Sequence, residues 1–318
     1  MVGNKLYAAG IVLFWLAAMT YLVVDRILPP WGGDPAPISR IVRQQEPLAW
    51  RVAVDGHPVG VAVLQAVPTP VGSTDVLSTL ELDRVPAPKS PPIWLAPLVK
   101  SIGDVGVSLD TCSRFDAFGS LVSFDTSLQI TDYAQQIRLS GAVKGDKLVL
   151  RVRLGDITKR FEQPWSATAS LASEFGPEPR ILPVYAGRVW RHEVYSPLSP
   201  PGKPVEVLEA RVTDSVRHDF DGRTSNAWIV EYRSTEKTGR SEEGRLRAQL
   251  RVAEDGRVLQ QEARLFGTLL TLTRLPDEES QRLADEKLET ARYARSRGKP
   301  DAIAVKPTGG HVAGGSVD

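Results

Sequence analysis

The sequence predicts a mainly β protein: an N-terminal transmembrane helix, then a large twisted antiparallel sheet or half-barrel with a short lid helix and a C-terminal helix. Three observations predict it. Leu6 to Val24 is an uncharged run about as long as a bilayer's hydrocarbon layer is thick. From Leu48 to Leu275, apolar residues recur at every second position in short runs separated by turn residues. After Pro276 the alternation stops, and acids lead bases in the charge order of a helix.

The first segment, residues 1–28, is read as a membrane anchor. Its nineteen-residue run, LYAAGIVLFWLAAMTYLVV, would rise about 28 Å as a helix. Leu6, Ile11, Leu13, Trp15, Leu22 and Val24 would face lipid, and Tyr7 and Tyr21 lie near the two interfaces. A cleaved signal peptide is the second reading. Such peptides carry an apolar core of about 7–15 residues and a small-residue cleavage site, whereas this run ends in Tyr-Leu-Val-Val-Asp. A lipoprotein signal is excluded, because the one cysteine is Cys112. The flanking charges, Lys5 on one side and Arg26, Arg40 and Arg43 on the other, do not fix the orientation. The body is placed in the periplasm or otherwise outside the cytoplasm, because a first apolar segment with so little chain before it acts as an export signal. Residues 29–47 form a Pro/Gly linker with no apolar period.

Residues 48–275 are the β domain. Leu48–Val54 and Val59–Val67 flank the turn sequence Asp55-Gly56-His57-Pro58 and predict a hairpin. Val76–Leu82 is a third strand. Pro91 to Gly103 carries Ile93, Trp94, Leu95, Leu98, Val99 and Ile102 at helical spacing and predicts the lid helix. Strands follow at 105–115, 120–130, 137–143 and 147–154. Residues 163–183 are irregular, with a helical turn near 167–175. Strands resume at 189–195, 205–217, 227–233, 244–252, 257–265 and 268–275, with a turn at 218–223. Residues 137–146 and 246–255 share a pattern that suggests two similar halves, 48–160 and 184–275. Residues 276–297 predict an exposed helix, since Leu283, Leu288 and Ala291 give only a thin apolar stripe. Residues 298–318 predict a disordered tail.

Several segments resemble a known group of proteins. Trp50–Gly60, Asp116–Phe124, Leu139–Leu148, Ala186–Trp190 with Tyr195–Pro197, and Asp255–Leu259 resemble uncharacterised membrane-anchored bacterial extracytoplasmic β-domains. Some of those stand ahead of transglutaminase-like modules. The resemblance implies a twisted sheet, curled like the half-barrel of bacterial lipoprotein carriers. It implies no activity.

Composition excludes several functions. The chain has 318 residues, a net charge of +1, one cysteine and four histidines. That excludes a strongly basic nucleic-acid binder, intramolecular disulfides and multi-cysteine metal sites. Cys112 lies in a strand rather than at a helix start, so it reads as a structural thiol. No G-x-S-x-G elbow occurs. His218-Asp219-Phe220-Asp221-Gly222 clusters ligand atoms, but its glycine falls at the fourth place rather than the sixth of a calcium loop. His57, His192 and His311 read as surface or tail residues. Arginine outnumbers lysine 28 to 11, but acids interleave, which reads as a solvated salted surface. No enzyme activity and no cofactor are expected, with a hydrolase a distant third reading. The first reading is a non-catalytic interaction or assembly module at the membrane. The alternative is a carrier or binder of a lipid or other apolar ligand, with Trp94, Trp190 and Trp228 lining the concavity. Core packing would explain each tryptophan equally well. The expected partners are the bilayer and a protein or apolar ligand, not nucleic acid.

Overall fold

The computed structural model describes residues 46–70, 72–85, 105–131, 136–165, 170–171, 178–181, 184–195, 205–235, 246–265 and 268–297. Fifteen strands form one sheet, in the order β8-β7-β6-β5-β4-β3-β2-β1-β15-β14-β13-β12-β11-β10-β9. The first half comprises β1 (Leu48–Val54), β2 (His57–Pro68), β3 (Thr74–Val85), β4 (Val105–Phe115), β5 (Leu121–Ile130), β6 (Ile137–Lys144), β7 (Lys147–Leu154) and β8 (Ile157–Pro164). The second comprises β9 (Ser170–Leu171), β10 (Val189–Tyr195), β11 (Val205–Phe220), β12 (Arg223–Ser234), β13 (Leu246–Ala253), β14 (Val258–Leu265) and β15 (Thr268–Arg274). Neighbours are antiparallel throughout except β9 and β10.

The topology follows from the chain's punctuation. Each half runs from strand to neighbouring strand in chain order, and β1 pairs with β15 at the centre of the sheet. The two halves predicted as a repeat are therefore two wings of one sheet. Asp55 and Gly56 both have positive φ, 47° and 86°, which a two-residue hairpin matched to strand twist requires. Asp55 also ties the hairpin to the other half, since its carboxylate accepts the Leu269 N–H at 3.0 Å. Gly60 lies where β2 crosses β3 so closely that a Cβ would overlap the carbonyl oxygen of Glu81. The sheet does not close: β8 and β9 are its two ends.

One face carries the main apolar core. Leu48, Trp50, Val52 and Val54 of β1 pack with Ala62, Leu64, Val76, Leu80, Leu82, Leu270 and Leu272. The same face continues outward to Phe124, Leu148 and Leu150 in one wing and to Trp190, Val212, Val230 and Leu250 in the other. The opposite face is covered at the centre by helix α1 (Asp277–Arg297), where Ala284 and Leu288 pack on Ala49, Val63 and Leu275. Burial on both faces explains why β1 is buried at every position but Arg51 and Ala53.

Four expectations need correction. The C-terminal helix is docked by one face, because Ser280, Ala284 and Leu288 are buried against the sheet while Gln281, Arg282, Asp285 and Glu286 stay exposed. The Ser280 hydroxyl accepts the Ala49 N–H at 3.1 Å. Its acidic first turn, Asp277 to Glu279, is as expected. The turn placed at 218–223 is only Asp221-Gly222, and His218 lies within β11. Strand β8 lies partly in the segment read as irregular. Residues 163–183 also supply β9 and a stretch bound to the sheet, described below. The anchor residues Leu6, Ile11, Leu13, Trp15, Leu22 and Val24, the linker, the lid helix with Trp94, and the 298–318 tail lie outside the described residues. Among the described residues no helix is long and apolar enough to cross a membrane.

Candidate functional site

Two features stand out from the general packing: a buried polar cluster in the second wing and, at the end of the first, an edge that is bare among the described residues. The cluster forms where residues 178–181 cross the inner face. The Glu178 N–H donates to the Gln261 side chain at 3.0 Å. The Val258 N–H donates to the Pro179 carbonyl and the Ile181 N–H to the Gly256 carbonyl, at 3.3 and 2.8 Å. Ile181 is thereby buried among Trp190, Tyr232 and Val258. Backbone pairing holds the segment, and Ile181 supplies its apolar anchor.

Around it, the Tyr232 hydroxyl donates to Glu178 Oε2 at 2.8 Å. Tyr232 meets Trp190 edge to face, with ring centroids 6.0 Å apart. The buried Arg188 guanidinium lies 4.4 Å above the Trp190 ring. Burial, then the nearby Glu178 charge, pushes the Tyr232 phenol well above its ordinary value. A phenol so held stays protonated: it is a donor, not a base. No histidine or cysteine belongs to this apolar cluster. The arrangement is a lock that fastens residues 178–181 across the sheet.

The two predicted pocket tryptophans that can be placed, Trp190 and Trp228, meet in this cluster. Trp190 is buried within it and Trp228 packs at its margin. Sequence reading missed Glu178, Arg188, Tyr232 and Gln261, which come from four separate stretches of chain. It also missed a set of donors. Among the described residues, the indole N–H groups of Trp50 and Trp190, the Nε of Arg138 and the Nε and Nη1 of Arg274 are buried without a hydrogen-bond partner. Arg274 meets Asp277 only at 3.5 Å, and burial pulls its pKa below the ordinary value against that carboxylate. All these atoms are donors.

Cys112 is half-buried on β4. Burial, then the neighbouring Arg251, lowers the His218 pKa, which keeps the imidazole neutral near pH 7. No group of three or more His, Cys, Asp or Glu residues suited to a metal occurs among the described residues. A cleft of about 440 Å³ beside the β11–β12 hairpin is lined by Arg217, Thr224, Ser225 and Asn226, all polar.

The edge is β8. Among the described residues its one neighbour is β7. Leu154 and Ile157 close a two-residue hairpin, so they exchange ladder hydrogen bonds, and so do the partners of Lys159 and Phe161. Thr158, Arg160 and Glu162 therefore turn their N–H and C=O groups outward. Ile157 and Phe161 are 62 % and 44 % exposed.

No protein family and no curated protein matches the chain. Among solved structures, it is similar to a β-barrel-like protein of a domain of unknown function, DUF1849, from Brucella abortus. That likeness has 11 % identity and a TM-score of 0.44, and covers 72 % of this chain and 95 % of the other. It is also similar to a DUF1089 family protein from Pseudomonas aeruginosa, at 13 % identity and a TM-score of 0.30, covering 62 % and 86 %. At this distance neither transfers a function.

Proposed function

We propose that the chain is a non-catalytic interaction module. The run Leu6–Val24 tethers it to a membrane, the body lies outside the cytoplasm, and a partner strand joins at the β8 edge. The observation that carries this reading is the edge itself, bare among the described residues: outward backbone groups at Thr158, Arg160 and Glu162, beside exposed Ile157 and Phe161. An open edge with alternate side-chain anchors is the geometry of strand addition. Lys159 and Arg160 would repel basic strands and attract acidic ones, so the partner strand is acidic. The lock around Glu178 and Tyr232 fits this reading, since it stiffens the second wing without offering a reactive group.

Site-specific photo-crosslinking of the full chain in its native membrane tests it. Probes at Thr158 and Glu162 should yield one discrete adduct, and a probe at Gln281 on α1 should not. Absence of an adduct at the edge, or the same adducts at Gln281, would overturn the reading.

A second reading rests on the unpartnered donors. Trp50 Nε1 and Arg274 Nε and Nη1, on residues directly opposite in the β1–β15 register, would suit the acceptor oxygens of an apolar ligand with a carboxylate or ester head. Mass spectrometry of lipid extracted from the purified full chain decides it: one species at fixed stoichiometry supports carriage, and bulk membrane composition counts against it.

A further inference from the structure

We propose that the outer face of β6–β8 is a docking surface for a bilayer rich in anionic phospholipid headgroups. This rests on the reading that the body is tethered at a membrane, and it adds how the body lies on that membrane.

The register places cations directly opposite cations. Arg138 pairs with Arg153, and Lys144 pairs with Lys147. Arg151 pairs with Arg160 on the next strand. Like charges opposite one another destabilise a sheet. In the other wing Arg211 pairs with Glu231 and Arg233 with Glu209, and where Arg180 bridges Arg257 both guanidinium groups bond Asp255. In the first wing Asp75 pairs with Arg114. Among the described strands, three like-charged pairs side by side on one face occur at β6–β8.

Among the described residues, Glu162 is the acid that the register places on the outer face of β6–β8. Glu162 meets Arg160 at 2.9 Å and Lys147 at 3.8 Å. Asp125 borders the patch from β5, separated from Arg151 by Ser140. Lys147 and Arg160 are largely exposed. The chain's net charge is +1, so this is a local concentration, not a general excess. A notch of about 40 Å³ between Lys144, Arg151 and Arg160 gives a headgroup oxygen a place to sit.

Two further observations favour a bilayer over another polyanion. Turns alternate between the two ends of a meander, so the β4–β5 turn shares an end with the Lys144–Lys147 hairpin. Its Phe118 is 76 % exposed, an apolar residue fit to enter the interface beside the cations. A linker of nineteen residues, 29–47, joins the segment that carries the apolar run Leu6–Val24 to the sheet. That length spans at most about 65 Å, against about 29 Å from β1 to β7 at about 4.8 Å per strand. A tethered body can therefore lay this face on the lipid.

Each basic residue at an anionic surface strengthens attachment by roughly fivefold. The test uses the full chain with Cys112→Ser, labelled with a fluorophore through Ser140→Cys in the centre of the patch. The chain is placed in nanodiscs carrying a headgroup quencher. Discs of phosphatidylcholine alone are compared with discs containing about 30 % phosphatidylglycerol. Quenching should be several-fold greater in the anionic discs. It should fall at 0.5 M NaCl, where screening shortens to about 4 Å, and in Arg151→Glu/Arg160→Glu. The neutral Arg151→Gln/Arg160→Gln, which removes a repulsive pair and keeps the fold, should show the intermediate loss. Equal quenching in both discs, or quenching indifferent to salt and to both variants, would overturn the proposal. Retention on phosphatidylcholine discs separately reads the N-terminal run. Salt-sensitive binding to anionic discs alone would keep the docking face and remove the tether.

Discussion

Replacing Leu288 by alanine measures how much the second face of the sheet depends on helix α1. Leu288 is 1 % exposed and packs with Ala284, Leu275, Ala49 and Val63. The change removes three methylene-sized groups, worth about 2.4 kcal/mol in transfer free energy. The cavity adds to this, and buried leucine-to-alanine changes span about 2–5 kcal/mol. A loss of about 3 kcal/mol lowers the melting temperature of a domain this size by about 6–12 °C. The control is Arg282→Ala on the same helix, whose side chain is 75 % exposed; its cost should stay within about 0.5 kcal/mol. Both variants are compared with the parent full chain by thermal and urea unfolding. If Leu288→Ala costs no more than Arg282→Ala, the helix does not cover β1 and β2. The account of why β1 is buried on both faces then fails.

Three further outcomes follow from named contacts. Gly60→Ala should cost at least about 2 kcal/mol by urea unfolding, because its Cβ meets the Glu81 backbone and not a movable side chain; Gly56→Ala, with nothing near its Cβ, should cost only its positive φ. Tyr232→Phe should cost about 1–3 kcal/mol at neutral pH by leaving Glu178 short of a donor. The Tyr232 pKa is raised in the folded state, so its contribution is full below the ordinary value of 10.0 and is lost as pH rises above it. Urea midpoints at pH 8, 10 and 11 should therefore fall more steeply in the parent than in Tyr232→Phe. Thr158→Pro should be tolerated within about 1 kcal/mol, since its N–H points away from β7, whereas Lys159→Pro removes a ladder donor and should destabilise by about 3 kcal/mol.

Much of the sheet is legible in the sequence because burial on one face imposes a period of two. β1, β4, β7 and β10 begin and end where the alternation does. β8 escapes because it is an edge strand, exposed along nearly its whole length, so no core selects an apolar alternation there. The neighbouring hairpin holds it instead. The helix was misjudged for a related reason. A stripe of Leu283 and Leu288 looks too thin to bury, but Ala284 and Ser280 widen it by letting the backbone approach β1. The meeting of Trp190 and Trp228 in one cluster follows from their strands' shared inward phase. The lock around them does not, because Glu178 reaches Tyr232 across 54 positions of chain with no local pattern to announce it. The interleaving of acids and bases read from the sequence holds for β11 and β12 and fails on β6–β8. There the register, not the composition, sets cation against cation.

The openness of the β8 edge is what the functional account needs most. Residue-resolved amide hydrogen exchange on the purified full chain reads it directly. The account predicts alternation: slow exchange at Lys159 and Phe161, whose N–H groups bond to β7, and fast exchange at Thr158, Arg160 and Glu162, whose N–H groups face outward. Uniformly slow exchange along β8 would mean the edge is already covered within the chain, and strand addition there would be excluded.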